Sequence, residues 1–268
     1  MLKHPSLQHL DHRPFPIPSR PWAMAMRWQD LLFMHWPVPP EALREVVPGD
    51  FDLDEYDGAC WVGVVPFYMT RVRPRFCPAV PGWLGEPSVS RFAELNVRTY
   101  VTRDGMPGVY FFSLDAASRL AVRGARFRGL WKLPGFGLPY FDAAMRCEVD
   151  PDPRGWTTYQ SRRTHYGAPP ASFSARYRPR RMIDPVPAAP GTLEHFLTER
   201  YCLYSVARRG RPVRGHIHHE PWPLRPAHCE IEACEMTAGL GFELPTHDAP
   251  LLHYAKQLDV VAWLPERI

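Results

Sequence analysis

Apolar residues recur along this chain mostly at strand spacing. Residues 59–65 (ACWVGVV) are apolar on both faces, which predicts a strand covered on both sides. Residues 109–114 (VYFFSL) read the same way. Residues 172–178 alternate cleanly, with Phe173, Ala175 and Tyr177 turned inward. Further strands are expected over 156–165, 201–207, 213–219, 228–236 and 258–264, with 208–212 (RRGRP) as the hairpin loop between two of them. Helices are few. Pro39, Pro40 and Glu41 open a short one that runs through Val47, with proline in the first turn, where its missing N–H costs nothing. Asp115 is expected to N-cap a helix over 116–126. Thr192 caps another that carries Leu193, Phe196, Leu197 and Arg200 on one face, and 251–256 form a last turn. Many strands and few helices predict a mostly β (α+β) domain. A closed or nearly closed sheet is favoured, because closure removes edges and encloses a cavity.

Residues 92–101 (FAELNVRTYV) are the most informative strand. One face carries Ala93, Leu95, Val97, Thr99 and Val101; the other carries Phe92, Glu94, Asn96, Arg98 and Tyr100. In an open sandwich the second face is simply wet, whereas in a barrel it lines the interior. Glu94 and Arg98 lie roughly 13 Å apart along such a strand. They are therefore too distant to pair and are placed to hold opposite ends of a small polar ligand.

Composition adds constraints. The 268 residues include 32 prolines, well above the usual share of about 5%, which forbids long uninterrupted helices and suits short strands with rigid corners. No run approaches the roughly 18 apolar residues of a membrane helix. The formal charge is +4, and only Lys3, Lys132 and Lys256 among the basic residues are lysines. Arginine clusters at 71–75, 178–181 and 208–214 are short and broken by Pro or Gly, so they read as solvated faces without a nucleic-acid module. Cys60, Cys77, Cys147, Cys202, Cys229 and Cys234 form no CxxC pair and read as buried reduced thiols. Residues 1–21 are polar and read as an N-terminal arm, with 22–268 a single domain. The N-terminus lacks the charged start and apolar core of a secretory signal, so a cytoplasmic location is the default expectation.

Several strings together resemble a known family. They are WQDLLFMHWPVP (28–39), DGACWVGVVPF (57–67), ELNVRTYV (94–101), LDA (114–116), LPY (138–140), TERYCLY (198–204), HHEPWPL (218–224) and HYA (253–255). The chain resembles the YqjF-like family of uncharacterised bacterial proteins, domain of unknown function 2071, over nearly everything from Trp22 to Ile268. That family is similar to the acetoacetate decarboxylase superfamily. The resemblance implies an antiparallel closed cone or barrel with a few short helices and a central small-molecule cavity.

In acetoacetate decarboxylase a lysine forms a Schiff base with a β-keto acid, from a segment resembling G-x-E-x-x-G-x-P-K-K. Here GARFRGLWKL (124–133) reproduces both glycine spacings and, at Lys132, the first lysine. Arg126 stands where the glutamate would be, Trp131 where the proline would be and Leu133 where the second lysine would be. An amine must be neutral to attack a carbonyl, so the missing neighbouring lysine matters. Arg126 or Arg128 is a partial substitute, Trp131 and Leu133 can desolvate the amine, and an exposed loop accommodates the same residues equally well. The resemblance also places Glu94 where the decarboxylases carry an active-site glutamate. Arg98, Tyr100, Arg126, Tyr140 and Trp61 are the expected ligand-binding residues, with Tyr110 as a further aromatic wall. Arg200 is a weaker candidate that otherwise ties helix to sheet through Glu199 or a backbone carbonyl.

His216, His218 and His219 invite a metal reading with Glu220 or Glu230. HxH is common by chance, and a strand end whose imidazoles bond to backbone carbonyls is preferred. No metal and no cofactor are expected. Nucleophile-elbow, P-loop and Rossmann patterns do not occur. The sequence therefore predicts a barrel that binds a small anionic or carbonyl-bearing organic molecule, with lyase chemistry through Lys132 and Glu94. The alternatives are a carrier or sensor that keeps the cavity without the chemistry, and an interaction module with a filled barrel. No nucleic acid or membrane partner is expected, and assembly into a homo-oligomer is left open.

Overall fold

The structure is a computed structural model that describes residues 4–81, 85, 87–126, 138–152, 155–180, 184–207, 210–245 and 248–268. In chain order the strands are β1 (Met24–Val38), β2 (Asp52–Leu53), β3 (Cys60–Pro74), β4 (Phe92–Arg103), β5 (Met106–Ala116), β6 (Tyr140–Val149), β7 (Thr157–Arg163) and β8 (Ser172–Pro179). They continue as β9 (Cys202–Ala207), β10 (Arg211–His219), β11 (Arg225–Cys234), β12 (Leu251–Ala262) and β13 (Glu266–Arg267). Three short helices intervene: α1 (Pro40–Arg44), α2 (Arg119–Arg126) and α3 (Leu193–Thr198).

The pairings close two rings. One runs β4-β5-β6-β7-β8-β11-β12-β1-β3 and back to β4, a closed nine-strand mixed barrel. The other runs β4-β5-β9-β10-β12-β1-β3, because β9 also pairs with β5 and β10 with β12. Strands β12, β1, β3, β4 and β5 form a wall common to both. This is why β4 is buried at every position from Phe92 to Val101. The pairs β5–β6 and β5–β9 are parallel and the other pairs are antiparallel.

The nine-strand ring is filled. Leu32, Met34, Val64, Leu95, Val97 and Phe173 belong to its hydrocarbon core, and Tyr159 and Tyr177 send their hydroxyls to the backbone carbonyls of Glu94 and Asp30 at 2.7 Å. The seven-strand ring encloses a cavity. Which face of a strand looks into that cavity is reset by irregularities in the ladder. On β1, Met24, Met26 and Trp28 line the cavity, but past Asp30 it is Leu31 that does so. Asp30 has φ 49° and sits where the β1–β3 register shifts. Its side chain is fixed there by Tyr254 and Lys256, both at 2.6 Å. On β3 the cavity face runs Val65, Phe67, Met69 and then Val72, with Arg71 (φ 54°) at the break. On β5, Leu114 is followed by Phe111 and Val109, because Phe112 is the extra residue of a bulge opposite β4.

Several sequence expectations are corrected here. Asp115 does not cap a helix. It is the penultimate residue of β5 and forms a buried, two-pronged pair with Arg163 of β7 at 2.8 and 3.0 Å. Ser118 instead accepts from the Ala121 N–H at the start of α2. Residues 251–256 are not a helical turn but the first half of β12, which pairs with β1 on one side and β11 on the other. Strand β1 was not expected at all. Thr192 does cap α3, accepting from the His195 N–H, and Pro40 does open α1. Strands β9 and β10 pair as the expected hairpin. All six cysteines are free, but only Cys60 and Cys202 are buried; Cys147, Cys229 and Cys234 are half-buried and Cys77 is exposed. Residues 4–20 lie across β10 and the C-terminal segment: Arg13 donates to the Ile217 carbonyl, His12 to that of His219, and Arg20 pairs with Glu266.

Candidate functional site

The cavity has a volume of about 590 Å³, and β4 supplies its chemistry. Phe92, Glu94, Asn96 and Arg98 all line it, so the polar face of that strand looks into an enclosed hollow and not into bulk water. Glu94 is 2% exposed. Its Oε2 accepts from the Tyr140 hydroxyl at 2.9 Å. Tyr140 begins β6, which pairs in parallel with β5 and so brings the ring over Glu94. Burial raises the Glu94 carboxyl to about 8, the Tyr140 bond opposes that rise, and nearby Asp115 adds to it. Burial also holds the Tyr140 hydroxyl well above its ordinary range, reinforced by Glu94. Near neutral pH this is a protonated acid beside a neutral phenol.

Arg98 is 9% exposed. One nitrogen reaches the Leu197 carbonyl at 3.2 Å and the Tyr100 hydroxyl at 3.4 Å, and the guanidinium lies over the Phe33 ring. Leu197 is near the C-terminal end of α3, where exposed carbonyls favour a cation. No carboxylate among the described residues pairs with Arg98, and its Nε has no partner there. The Asn96 Oδ1, two residues away on the same face, also lacks one. Gly63 makes this arrangement possible. A Cβ there would stand 3.0 Å from the His35 ring and 3.4 Å from the Arg98 side chain.

Beneath Arg98 the cavity is closed by a buried relay. The Tyr100 hydroxyl lies 2.8 Å from the Leu197 carbonyl and 2.7 Å from His35 Nε2. Burial, with Arg98 nearby, pushes the His35 imidazole well below its ordinary range. A neutral His35 donates from Nε2 to Tyr100, which donates in turn to Leu197. Arg200 lines the cavity but is already committed. It pairs with Asp54 at 2.5 Å, donates to the Phe196 carbonyl, and stacks on Tyr100 and Phe196. It thus ties α3 to the β2 region rather than acting through Glu199.

The structure divides the sequence-predicted site. Glu94, Arg98, Tyr140 and Arg200 share the cavity. Tyr100 does not line the cavity; it is fully buried behind Arg98. Trp61 does not line it either and packs with Tyr100 and Leu197. Tyr110 is turned away into the filled core, against Phe51 and Phe112. The aromatic walls are instead Trp28, Phe67, Phe92, Phe111 and Trp222. Arg126 does not line the cavity; it donates to the Tyr140 carbonyl at 2.5 Å and so steadies the strand end that carries Tyr140. Lys132 lies outside the described residues. Lys256 is bonded to Asp30, and no lysine occurs among the described residues that line the cavity.

The three histidines are each engaged with the protein. His216 faces Glu266 at 3.4 Å, His218 bonds the Ser6 carbonyl, and His219 bonds the Glu220 carbonyl at 2.7 Å. Glu230 pairs with Arg176 on the outer surface. His219 does line the cavity, its ring tilted against Trp222 at 5.2 Å, and burial lowers its imidazole to about 3, so it is neutral there. Asn96, Thr198 and Trp222 were not among the expected site residues. Asn96 was legible from its place between Glu94 and Arg98, whereas Thr198 and Trp222 reach the cavity only through tertiary packing.

Among the described residues no helix is long and apolar enough to cross a membrane. The fold is that of known enzymes. MppR, an enduracididine biosynthesis enzyme solved in complex with pyruvate, superposes with a TM-score of 0.59 at 12% identity, covering 92% of this chain and 91% of its own. An acetoacetate decarboxylase-like enzyme from Sphingomonas wittichii RW1 gives a TM-score of 0.55 at 15% identity, covering 96% and 98%. Uncharacterized protein YqjF of Bacillus subtilis (strain 168) is 43% identical over 247 residues, which is 92% of this chain and 93% of that one. The model of the DUF2071 family, described as an uncharacterised conserved protein, matches residues 25–259, and with these relationships the chain belongs to that family.

Proposed function

We propose that the cavity binds a small organic carboxylate that also bears a carbonyl, with Arg98 taking the carboxylate and Glu94 serving as the proton donor near the carbonyl. The observation that carries this reading is Arg98, a buried guanidinium that faces a cavity without a carboxylate among the described residues to pair it. Burying an unpaired charge is costly, and a planar guanidinium is suited to two-pronged binding of a carboxylate. With Glu94 protonated, the cavity carries net positive charge. The fold neighbour MppR was solved with pyruvate, a molecule of this class.

The corresponding reaction is decarboxylation of a β-keto acid, whose carboxylate sits on the carbon next to the carbonyl carbon, through Lys132. The neutral amine adds to the carbonyl, water leaves, and a protonated imine results. As the carboxylate leaves as carbon dioxide, the imine takes the bonding pair and becomes an enamine. Protonation of the enamine carbon and hydrolysis then return the amine. Glu94 is the described group with a proton to give near neutral pH.

Calorimetric titration with pyruvate tests the binding step. The native protein is expected to bind it, and Arg98→Gln to weaken it by roughly thirtyfold or more, the usual cost of removing one partner of a buried charge pair. Equal affinity in the two proteins would overturn the assignment of Arg98. Borohydride reduction in the presence of acetoacetate, a β-keto acid, followed by peptide mass mapping, tests the chemistry. An adduct on Lys132 supports the lyase. Binding without any trapped adduct identifies a carrier or sensor instead.

A further inference from the structure

A three-carbon keto acid fills little of this cavity. At about the 30 Å³ that a water molecule takes in the liquid, its six non-hydrogen atoms occupy on the order of 180 Å³, against about 590 Å³ enclosed. The remaining space is mostly apolar. Polar groups gather at the inner end, where Arg98 and Asn96 stand above Tyr100 and α3. Glu94 lies further out on the same strand, and beyond it, from Phe92 outward, the interior faces of β1, β3 and β4 are mostly hydrocarbon and thioether, with the Trp28 indole among them and Arg73, which donates to the Arg75 carbonyl, at the outer end of β3. The registers set Met69 and Trp28 level with Phe92. From there β1 continues to Met24 and β3 to Val72, and Val89 lines the outer end. Along β4 alone the distance from Arg98 to Phe92 is roughly 20 Å.

We propose that the ligand is amphipathic, a carboxylate-headed molecule whose unbranched saturated tail of on the order of ten carbons runs outward between β1 and β3. This rests on the reading of Arg98 above and adds the class of tail. An apolar surface of this extent gains stability when something apolar covers it. Three of the wall residues, Met24, Met26 and Met69, are methionines, whose unbranched side chains conform to a flexible chain better than branched ones do.

The experiment is a calorimetric series of straight-chain 2-oxo acids, from three to ten carbons, against the native protein and two variants. Val72→Trp fills the outer end. Val89→Asp places a charge there from a partly exposed loop position and so does not threaten the fold. The dissociation constant is expected to fall by about fourfold for each added methylene that becomes buried. Both variants are expected to weaken the ten-carbon acid by tenfold or more and to leave the three-carbon acid within twofold. Tightest binding by the three-carbon acid overturns the tail and leaves the Arg98 reading intact. A chain-length gain that survives in both variants also overturns it, since the tail then lies elsewhere. Failure of every acid to bind overturns both readings together.

Discussion

Glu94 is a carboxylic acid whose proton is held by burial, and that has a measurable consequence for stability. Its ordinary value of 4.5 rises to about 8 in the folded protein. Between these values the folded state binds a proton that the unfolded state has released. Stability therefore falls as pH rises through this window, by up to about 1.4 kcal/mol per unit, and the contribution is fully present below 4.5. Glu94→Gln keeps the hydrogen bond from Tyr140 and removes the titration. Urea denaturation at pH 5, 6.5 and 8 is expected to show native stability dropping relative to the variant, with the variant more stable at pH 8. A constant difference between the two proteins across that range would mean that Glu94 titrates normally and reaches water. The same substitution is expected to leave pyruvate binding nearly intact while slowing any decarboxylation by about a hundredfold, the usual contribution of a positioned proton donor.

At the scale of elements, the second ring depends on one close approach. Strand β5 meets β9 in parallel at Val109 and Tyr110, next to Gly108. A Cβ at Gly108 would lie 2.6 Å from the Cys202 carbonyl oxygen and 2.6 Å from the Tyr204 ring, so backbone as well as side chain must shift. Gly108→Ala is expected to cost about 1–3 kcal/mol of unfolding free energy, as overpacking does. Gly215→Ala is the control. There a Cβ meets Leu203 at no less than 3.8 Å, and the change is expected to fall within about 0.5 kcal/mol. Equal costs would show that the β5–β9 contact is loose. The same irregularities explain what the sequence concealed. The alternation in β4 was legible because that strand keeps its phase from Phe92 to Arg98, and it placed Glu94, Asn96 and Arg98 together on the face that lines the cavity. Tyr110 was misplaced because the bulge at Phe112 exchanges the faces of β5; without it, Leu114, Phe112 and Tyr110 would look the same way. Strand β1 was missed for a related reason. It is apolar on both faces past Asp30 and changes phase there, so neither strand nor helix periodicity stands out. Trp61 follows the correct alternation, but where the cavity ends depends on α3, which no local pattern specifies.

At the scale of the whole molecule, one wall serves a filled ring and a hollow one, and the two sides are expected to respond differently to the same loss of atoms. Met34 and Met69 compare them directly. Met34 is fully buried on β1 in the packed core of the nine-strand ring. Met69 is nearly as buried on β3, but its side chain lines the cavity. Truncating a buried methionine to alanine removes transfer free energy, and where the surroundings cannot collapse it adds a penalty for the void. Met34→Ala carries both and is expected to cost about 3–5 kcal/mol. Met69→Ala only enlarges a space that already exists and that reaches the surface at Leu120 and Val89, both exposed. The void penalty is then small, and the expected cost is about 1–2 kcal/mol, near the transfer value for the lost side chain. Denaturant midpoints for the two variants, compared at constant slope, measure the difference. Equal costs would mean that the cavity side is as tightly supported as the core and that the ring is not hollow in solution. A lower cost at Met69 would instead show that the fold draws its stability chiefly from the tyrosine-lined ring and leaves the other free to hold a ligand.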